Sequence, residues 1–227
     1  RLQLQRERDL RRQWVHDLAH DLRTPVAALR AQFEAMRDGV LEVSPECLEK
    51  VLREIGRAQE LVADLEELMR LESPEMRLVP ASLEAVALVE EARERFEHDL
   101  KAKGIDFRAE VQPLRFRADP ALLQRALSNL LANAVRHCTE SGTITVGARR
   151  EQAGITLSVA NTGERIPEQD LQRVFDRLYR GEYARSSPGS GLGLTIAQRI
   201  AALHGGEVRV TNREDGVEAR MRLPEAT

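Results

Sequence analysis

Residues 14–40, WVHDLAHDLRTPVAALRAQFEAMRDGV, decide how the first third of this chain folds. Apolar side chains recur in steps of three and four at Leu10, Trp14, Leu18, Leu22, Val26, Leu29, Phe33, Met36 and Val40, one stripe along an α-helix. Pro25 interrupts that stripe, removes a backbone hydrogen bond and bends the helix. Asp38-Gly39 and Ser44-Pro45 bracket a turn, and a second stripe follows at Leu48, Leu52, Ile55, Val62, Leu65 and Met69. Two amphipathic helices with a short connection predict an antiparallel hairpin. A hairpin alone leaves apolar surface exposed, so two copies are expected to pair into a four-helix bundle. The alternative is a monomer whose stripe packs on the rest of the chain.

At 227 residues there is room for one large domain or two modest ones. Charged residues make up 31% and the net charge is -3, a mixed solvated surface without the positive field of a nucleic-acid binder. Cys47 and Cys138 have neither metal spacing nor a disulfide framework, and are read as packing residues in a reducing compartment. No uninterrupted apolar run reaches the length of a membrane span. The charged, helical start at Arg1 is read as a cut through a longer coiled coil.

Beyond Glu72-Ser73-Pro74-Glu75-Met76 the character changes, so 73–80 reads as a linker between a domain at 1–72 and another at 81–227. Residues 82–103 and 119–137 carry helical patterns, and so does the stretch from Leu194 to Leu203. Strands are expected at Ile105–Val111, Thr143–Ala148, Ile155–Val159, Glu207–Val210 and Glu218–Leu223. The fold class is α+β: a helical hairpin followed by an α/β sandwich with mainly antiparallel strands.

His20 lies two residues from both Leu18 and Leu22, away from the apolar stripe and exposed. Neutral imidazole is a competent nucleophile near physiological pH. Asp21 can hold one ring proton and leave the other nitrogen the better attacker. Thr24, one turn on, can orient a water, or simply bond a carbonyl one turn back. His16-Asp17 is a second such pair and a rival acceptor, read as a polar neighbour because only His20 precedes Asp-Leu-Arg-Thr-Pro.

Further along, Asn129 and Asn133 stand one turn apart on a helix, where two amide oxygens can reach one ion–phosphate cluster. Asn161-Thr-Gly163-Glu-Arg165-Ile166-Pro167 follows a strand, and Phe175-Asp-Arg-Leu-Tyr179-Arg180 precedes a polar segment, 181–188, of the kind that forms a lid. Gly189-Ser190-Gly191-Leu192-Gly193-Leu194 then opens a helix, with alternate glycines that let backbone amides approach phosphate.

Taken in order, these stretches resemble the H-box, N-box, first glycine box, F-box and second glycine box of the sensor histidine kinases of two-component systems, across almost the whole chain. The resemblance implies a HisKA-type dimerisation and phosphotransfer domain followed by a Bergerat-type (GHKL) ATP-binding domain. It implies that ATP with Mg2+ phosphorylates His20, Asp21 acting as base, and that an aspartate of a response regulator then receives the phosphoryl group. Thr24 would support dephosphorylation of that regulator. Asn133 would hold Mg2+ with support from Asn129, and Arg136 would meet phosphate. Asn161, Gly163, Arg165 and Ile166 would border the adenine; Phe175, Tyr179, Gly189, Ser190, Gly191, Leu192, Gly193 and Leu194 would surround the nucleotide. Arg180 would contact the transferring phosphoryl group.

Four positions depart from the family pattern, the first being Arg136, which stands where lysine is frequent and keeps the charge. His137 stands where tyrosine is frequent, Asn161 replaces an adenine-binding acid, and Arg165 replaces a glycine. The last two imply weaker rather than absent ATP binding, and an alternative in which the protein is an ATP-binding scaffold acting mainly as a regulator phosphatase. Other ATPases with the same nucleotide fold lack a histidine hairpin ahead of it. The resemblance further implies a homodimer and a longer protein anchored in the bacterial inner membrane, with this part cytoplasmic and itself free of membrane and nucleic-acid contact.

Overall fold

The structure, a computed structural model, describes residues 26–151, 154–177, 179 and 190–225. These divide into two compact units: 26–66 with 177, 179 and 190–192, and 67–176 with 193–225.

The first unit holds helix α1, described over 26–37, and most of helix α2, Pro45–Glu72. Gly39 ends α1 in the left-handed region (φ +70°), the usual glycine stop. Ser44 starts α2: its Oγ accepts from the Cys47 N–H at 3.2 Å, and Pro45 takes the first helical position, where no donor is needed. The two helices and the short connection expected from the stripes are therefore present over the described residues, while Pro25 and the helix before it lie outside them. Val51, Leu61 and Leu68 are buried along α2. The stripe residues Phe33, Val40, Leu48, Leu52, Ile55, Val62 and Met69 are exposed, Leu52 at 65% and Val40 at 82%.

The second unit is a two-layer α/β sandwich. Its five-stranded sheet has the order β2-β4-β5-β7-β6, with β2 Asp106–Val111, β4 Thr143–Glu151, β5 Gly154–Thr162, β6 Glu207–Asn212 and β7 Gly216–Leu223. The β2–β4 pair is parallel and the other pairs are antiparallel. Helices α3 (Ala85–Arg95), α5 (Pro120–His137) and α7 (Gly193–Leu203) pack together over the sheet, burying Leu123, Leu127, Leu130, Leu131, Ile196 and Ile200 against Ile144, Val146, Leu157 and Val159.

Residues 82–103 depart from their helical pattern. Ala81–Glu84 form strand β1, paired antiparallel with β3, Arg115–Ala118, which the pattern did not reveal. This ribbon sets Leu83 opposite the buried Phe116 and ion-pairs Glu84 with Arg115. The remaining helix breaks at Phe96 into α3 and α4, Glu97–Ala102. A short α6, Glu168–Leu171, is also new.

One cap anchors α5. Asp119 Oδ1 accepts from the Leu122 N–H at 3.1 Å and Oδ2 from the Val79 N–H at 2.9 Å. The Asp119 N–H donates to His204 Nε2 at 3.0 Å, while His204 Nδ1 faces the Ile200 carbonyl at 2.8 Å. A backbone donor on one nitrogen and a carbonyl on the other fix a neutral, Nδ1-protonated ring. No helix among the described residues is long and apolar enough to cross a membrane.

Candidate nucleotide site

Helix α5 is the floor of the site. Its apolar face points to the sheet, leaving Asn129 and Asn133 half-buried one turn apart on another face. Among the described residues the buried Asn129 Nδ2 has no hydrogen-bond partner, and such a donor costs about 1–3 kcal/mol until something supplies an acceptor. Gly193, the first residue of α7, passes so close that a Cβ there would lie 3.8 Å from Asn129 Cγ and 3.9 Å from its Oδ1. The amide-rich, electropositive start of α7 thus meets the asparagine face of α5, an arrangement that suits phosphate.

The far end of α5 meets the end of β5. Gly163 has φ +154°, and a Cβ there would lie 2.3 Å from the His137 carbonyl oxygen. Lys103 closes the helix, its Nζ donating to the carbonyls of Val135 (2.8 Å) and Arg136 (3.1 Å), where positive charge complements the helix dipole. Asn161 lies inside the ladder of β5 and is buried; its Nδ2 donates to the Thr162 carbonyl at 3.1 Å. The side-chain oxygen is the acceptor end of that amide.

Behind Asn161, the Gly163 N–H donates to the Asp215 carbonyl at 3.0 Å. Asn212 grips Ile166 twice, accepting from its N–H at 2.8 Å and donating to its carbonyl at 2.7 Å. Phe175 is tied to α7 through its carbonyl, which accepts from Thr195 Oγ1 at 3.1 Å. Within the first unit, Ser190 Oγ donates to Asp64 at 2.5 Å and accepts from the Leu192 N–H at 3.2 Å.

His137 is exposed on its outer side. Partial desolvation of the ring, the positive charges of Arg136 and Lys103 adding to it, lowers its pKa from the ordinary imidazole value, against a smaller opposing pull from Glu164. Protons then bind the unfolded chain more tightly than the folded one. Stability is unaffected above the ordinary imidazole range and falls as pH drops through it toward the lowered folded value. Urea titrations from pH 8 to 5 should show that loss, and His137→Gln should reduce it; an unchanged slope in the variant would assign it elsewhere.

The structure therefore brings Asn129 together with Gly193, Asn161 and Gly163 with His137, and Ile166 with Asn212. Arg165 is exposed, Tyr179 and Gly191 are half-buried, and Leu192 is buried. His20, Asp21, Thr24, Arg180 and Gly189, with His16 and Asp17, lie outside the described residues. Lys103, Asn212, Thr195 and Asp64 escaped sequence reading, because each acts on a backbone or side chain far away in sequence. Among the described residues no three His, Cys, Asp or Glu side chains form a metal cluster.

Two families match the chain in tandem. Residues 10–74 match the His Kinase A (phospho-acceptor) domain, and residues 118–227 match the Histidine kinase-, DNA gyrase B-, and HSP90-like ATPase. The chain belongs to the sensor histidine kinases. The chain is 37% identical to the sensor protein CreC of Escherichia coli over 93% of its own length and 45% of CreC. It thus spans about half the length of the curated relatives it matches. Among solved structures it resembles full-length ShkA in complex with AMPPNP (27% identity, TM-score 0.69, 93% of this chain and 46% of that one). The fold is shared with histidine kinase ThkA in complex with the response regulator protein TrrA (24% identity, TM-score 0.80, 94% and 61%). The α+β class expected from the motifs, a helical N-terminal region ahead of a mixed-sheet domain, is borne out.

Proposed function

We propose that this chain is a catalytic core that transfers the γ-phosphoryl group of ATP to His20 and from there to an aspartate of a response regulator. The observation that carries the nucleotide half is the buried Asn129 amide beside the first turn of α7, its Nδ2 without a hydrogen-bond partner among the described residues. The donor set fits a magnesium nucleotide: two carboxamides, a helix start and Arg136 suit a cation that arrives with phosphates rather than in a protein cage. Asn133 and Asn129 would hold Mg2+, which supplies charge neutralisation across the phosphates. The Asn161 carbonyl would accept a hydrogen bond from the adenine amino group.

In the transfer, a ring nitrogen of His20 forms the P–N bond as the bond to the bridging oxygen breaks and ADP leaves. Asp21 holds the other ring nitrogen and takes the proton, and Arg180 stabilises charge on the moving phosphoryl group. The regulator aspartate then attacks the same phosphorus and releases the imidazole; Thr24 would orient a water for the reverse, dephosphorylating activity. The response-regulator complex of ThkA supports that partner. Residues 1–72 would form the phosphotransfer domain, 73–80 the linker and 81–227 the ATP-binding domain, within a membrane-anchored protein whose core lies in the cytoplasm. Incubation with γ-labelled ATP and Mg2+ should give acid-labile label that a purified regulator removes; a chain that binds ATP and stays unlabelled would leave a scaffold or phosphatase.

The exposed stripe of α1 and α2 supports a homodimer, since Phe33, Leu48, Leu52, Ile55, Val62 and Met69 would otherwise face water. Sedimentation should give a dimer for the intact chain and a monomer for Leu52→Glu. A monomeric intact chain would overturn the pairing.

A further inference from the structure

The side chain of Asn212 does something no motif announces. It closes a two-point amide clamp on the backbone of Ile166, 46 residues away in sequence, at 2.8 and 2.7 Å. The polarity is fixed by its partners, because a backbone N–H can only donate and a carbonyl only accept.

The sheet places this clamp. Val217 on β7 is the register partner of both Asn161 on β5 and Asn212 on β6. The two asparagines therefore stand two strands apart, roughly 9–10 Å. Residues 163–166 leave the strand just after Asn161 and reach the end of β6, where Asn212 takes hold of Ile166. Asn212 is itself rigid: it ends β6, is half-buried, and precedes a tight turn closed by the Arg213 N–H on the Gly216 carbonyl at 2.8 Å. Gly163, at the other end of the loop, is pinned by its N–H to the Asp215 carbonyl. Both anchors come from the β6–β7 hairpin.

We propose that Asn212 is a positioning residue for base recognition, holding the loop after Asn161 so that the Asn161 carbonyl is presented to a purine amino group. This rests on the nucleotide reading above. It assigns Asn212 to the base and not to the phosphates, which would meet the start of α7 and the asparagines of α5. Loss of the clamp therefore weakens discrimination between a 6-amino and a 6-oxo purine more than it weakens the grip on triphosphate.

The test is calorimetric titration of the intact chain, Asn212→Ala and Asn212→Asp with MgATP and with MgGTP, alongside thermal unfolding without nucleotide. Asn212→Asp keeps an acceptor for the Ile166 N–H and turns a carboxylate oxygen on its carbonyl, so it remains informative if the alanine variant fails to fold. The expected result is an ATP Kd raised about tenfold, as one or two lost hydrogen bonds allow, with the GTP Kd changed less than threefold. Equal weakening of ATP and GTP would overturn the proposal and reduce Asn212 to a structural brace. So would an ATP Kd within twofold of the intact chain. An intact chain that binds neither nucleotide would instead overturn the nucleotide reading on which the proposal stands.

Discussion

Replacing His20 by alanine removes the acid-labile phosphoryl label entirely, a loss of at least a hundredfold on the order expected when a covalent nucleophile is deleted. Alanine has no ring nitrogen to form the P–N bond, and nothing else in the run Asp21-Leu22-Arg23-Thr24-Pro25 can take its place. His16→Ala is the discriminating companion. His16 is also followed by an aspartate and lies one turn earlier, so a rule based on a His-Asp pair alone predicts equal losses. Near-normal labelling of His16→Ala with none in His20→Ala names the acceptor, and the reverse pattern would move it. ATP affinity should be unchanged in both, because no residue assigned to the nucleotide has been altered.

Gly163→Ala should break the nucleotide site and lower stability together. The new methyl carbon would sit 2.3 Å from the His137 carbonyl oxygen, and the backbone there has φ +154°. The colliding atom is a backbone carbonyl oxygen, not a flexible side-chain tip. The carbonyl belongs to the last turn of α5 and the strand is locked in the sheet ladder. Backbone strain of this kind costs about 1–3 kcal/mol, and each kcal/mol lowers the midpoint of a chain this size by roughly 2–4 °C. Relief by moving α5 away from β5 would separate His137 from Asn161, so ATP binding should weaken more than about tenfold. Thermal unfolding with and without MgATP reads both effects; a variant with intact midpoint and affinity would show that the two elements are not in close contact.

The order of motifs was legible because each combines a residue type with a local element. Asn129 and Asn133 need only a helix to share a face, and alternate glycines before Leu194 need only a helix start to make an anion site. The two helices were legible from period alone, yet the stripe that revealed them is largely the exposed side of α2, while Cys47, Val51, Leu61, Leu68 and Leu71 are the apolar residues it buries. Periodicity finds an apolar face without saying what covers it. Residues 81–84 misled for a related reason: four residues are too few to show alternation, and their strand exists only because Arg115–Ala118 pair with it. Asn212, Lys103 and Asp119 were silent because an asparagine at a strand end, a lysine before a glycine turn or an aspartate before a proline has many uses. Only the partner, between 32 and 85 residues away, selects one.

The His204 ring carries a consequence for where phosphate can go. The chain has five histidines, His16, His20, His98, His137 and His204, and each is a nitrogen nucleophile in principle. On His204 both lone-pair directions are spoken for, one by the Asp119 N–H and the other by the proton shared with Ile200. An imidazole so engaged has no electron pair to offer phosphorus unless the start of α5 comes undone. This histidine is thus a built-in counter of damage: phosphate found on it would report protein that had lost its fold, not protein that had signalled.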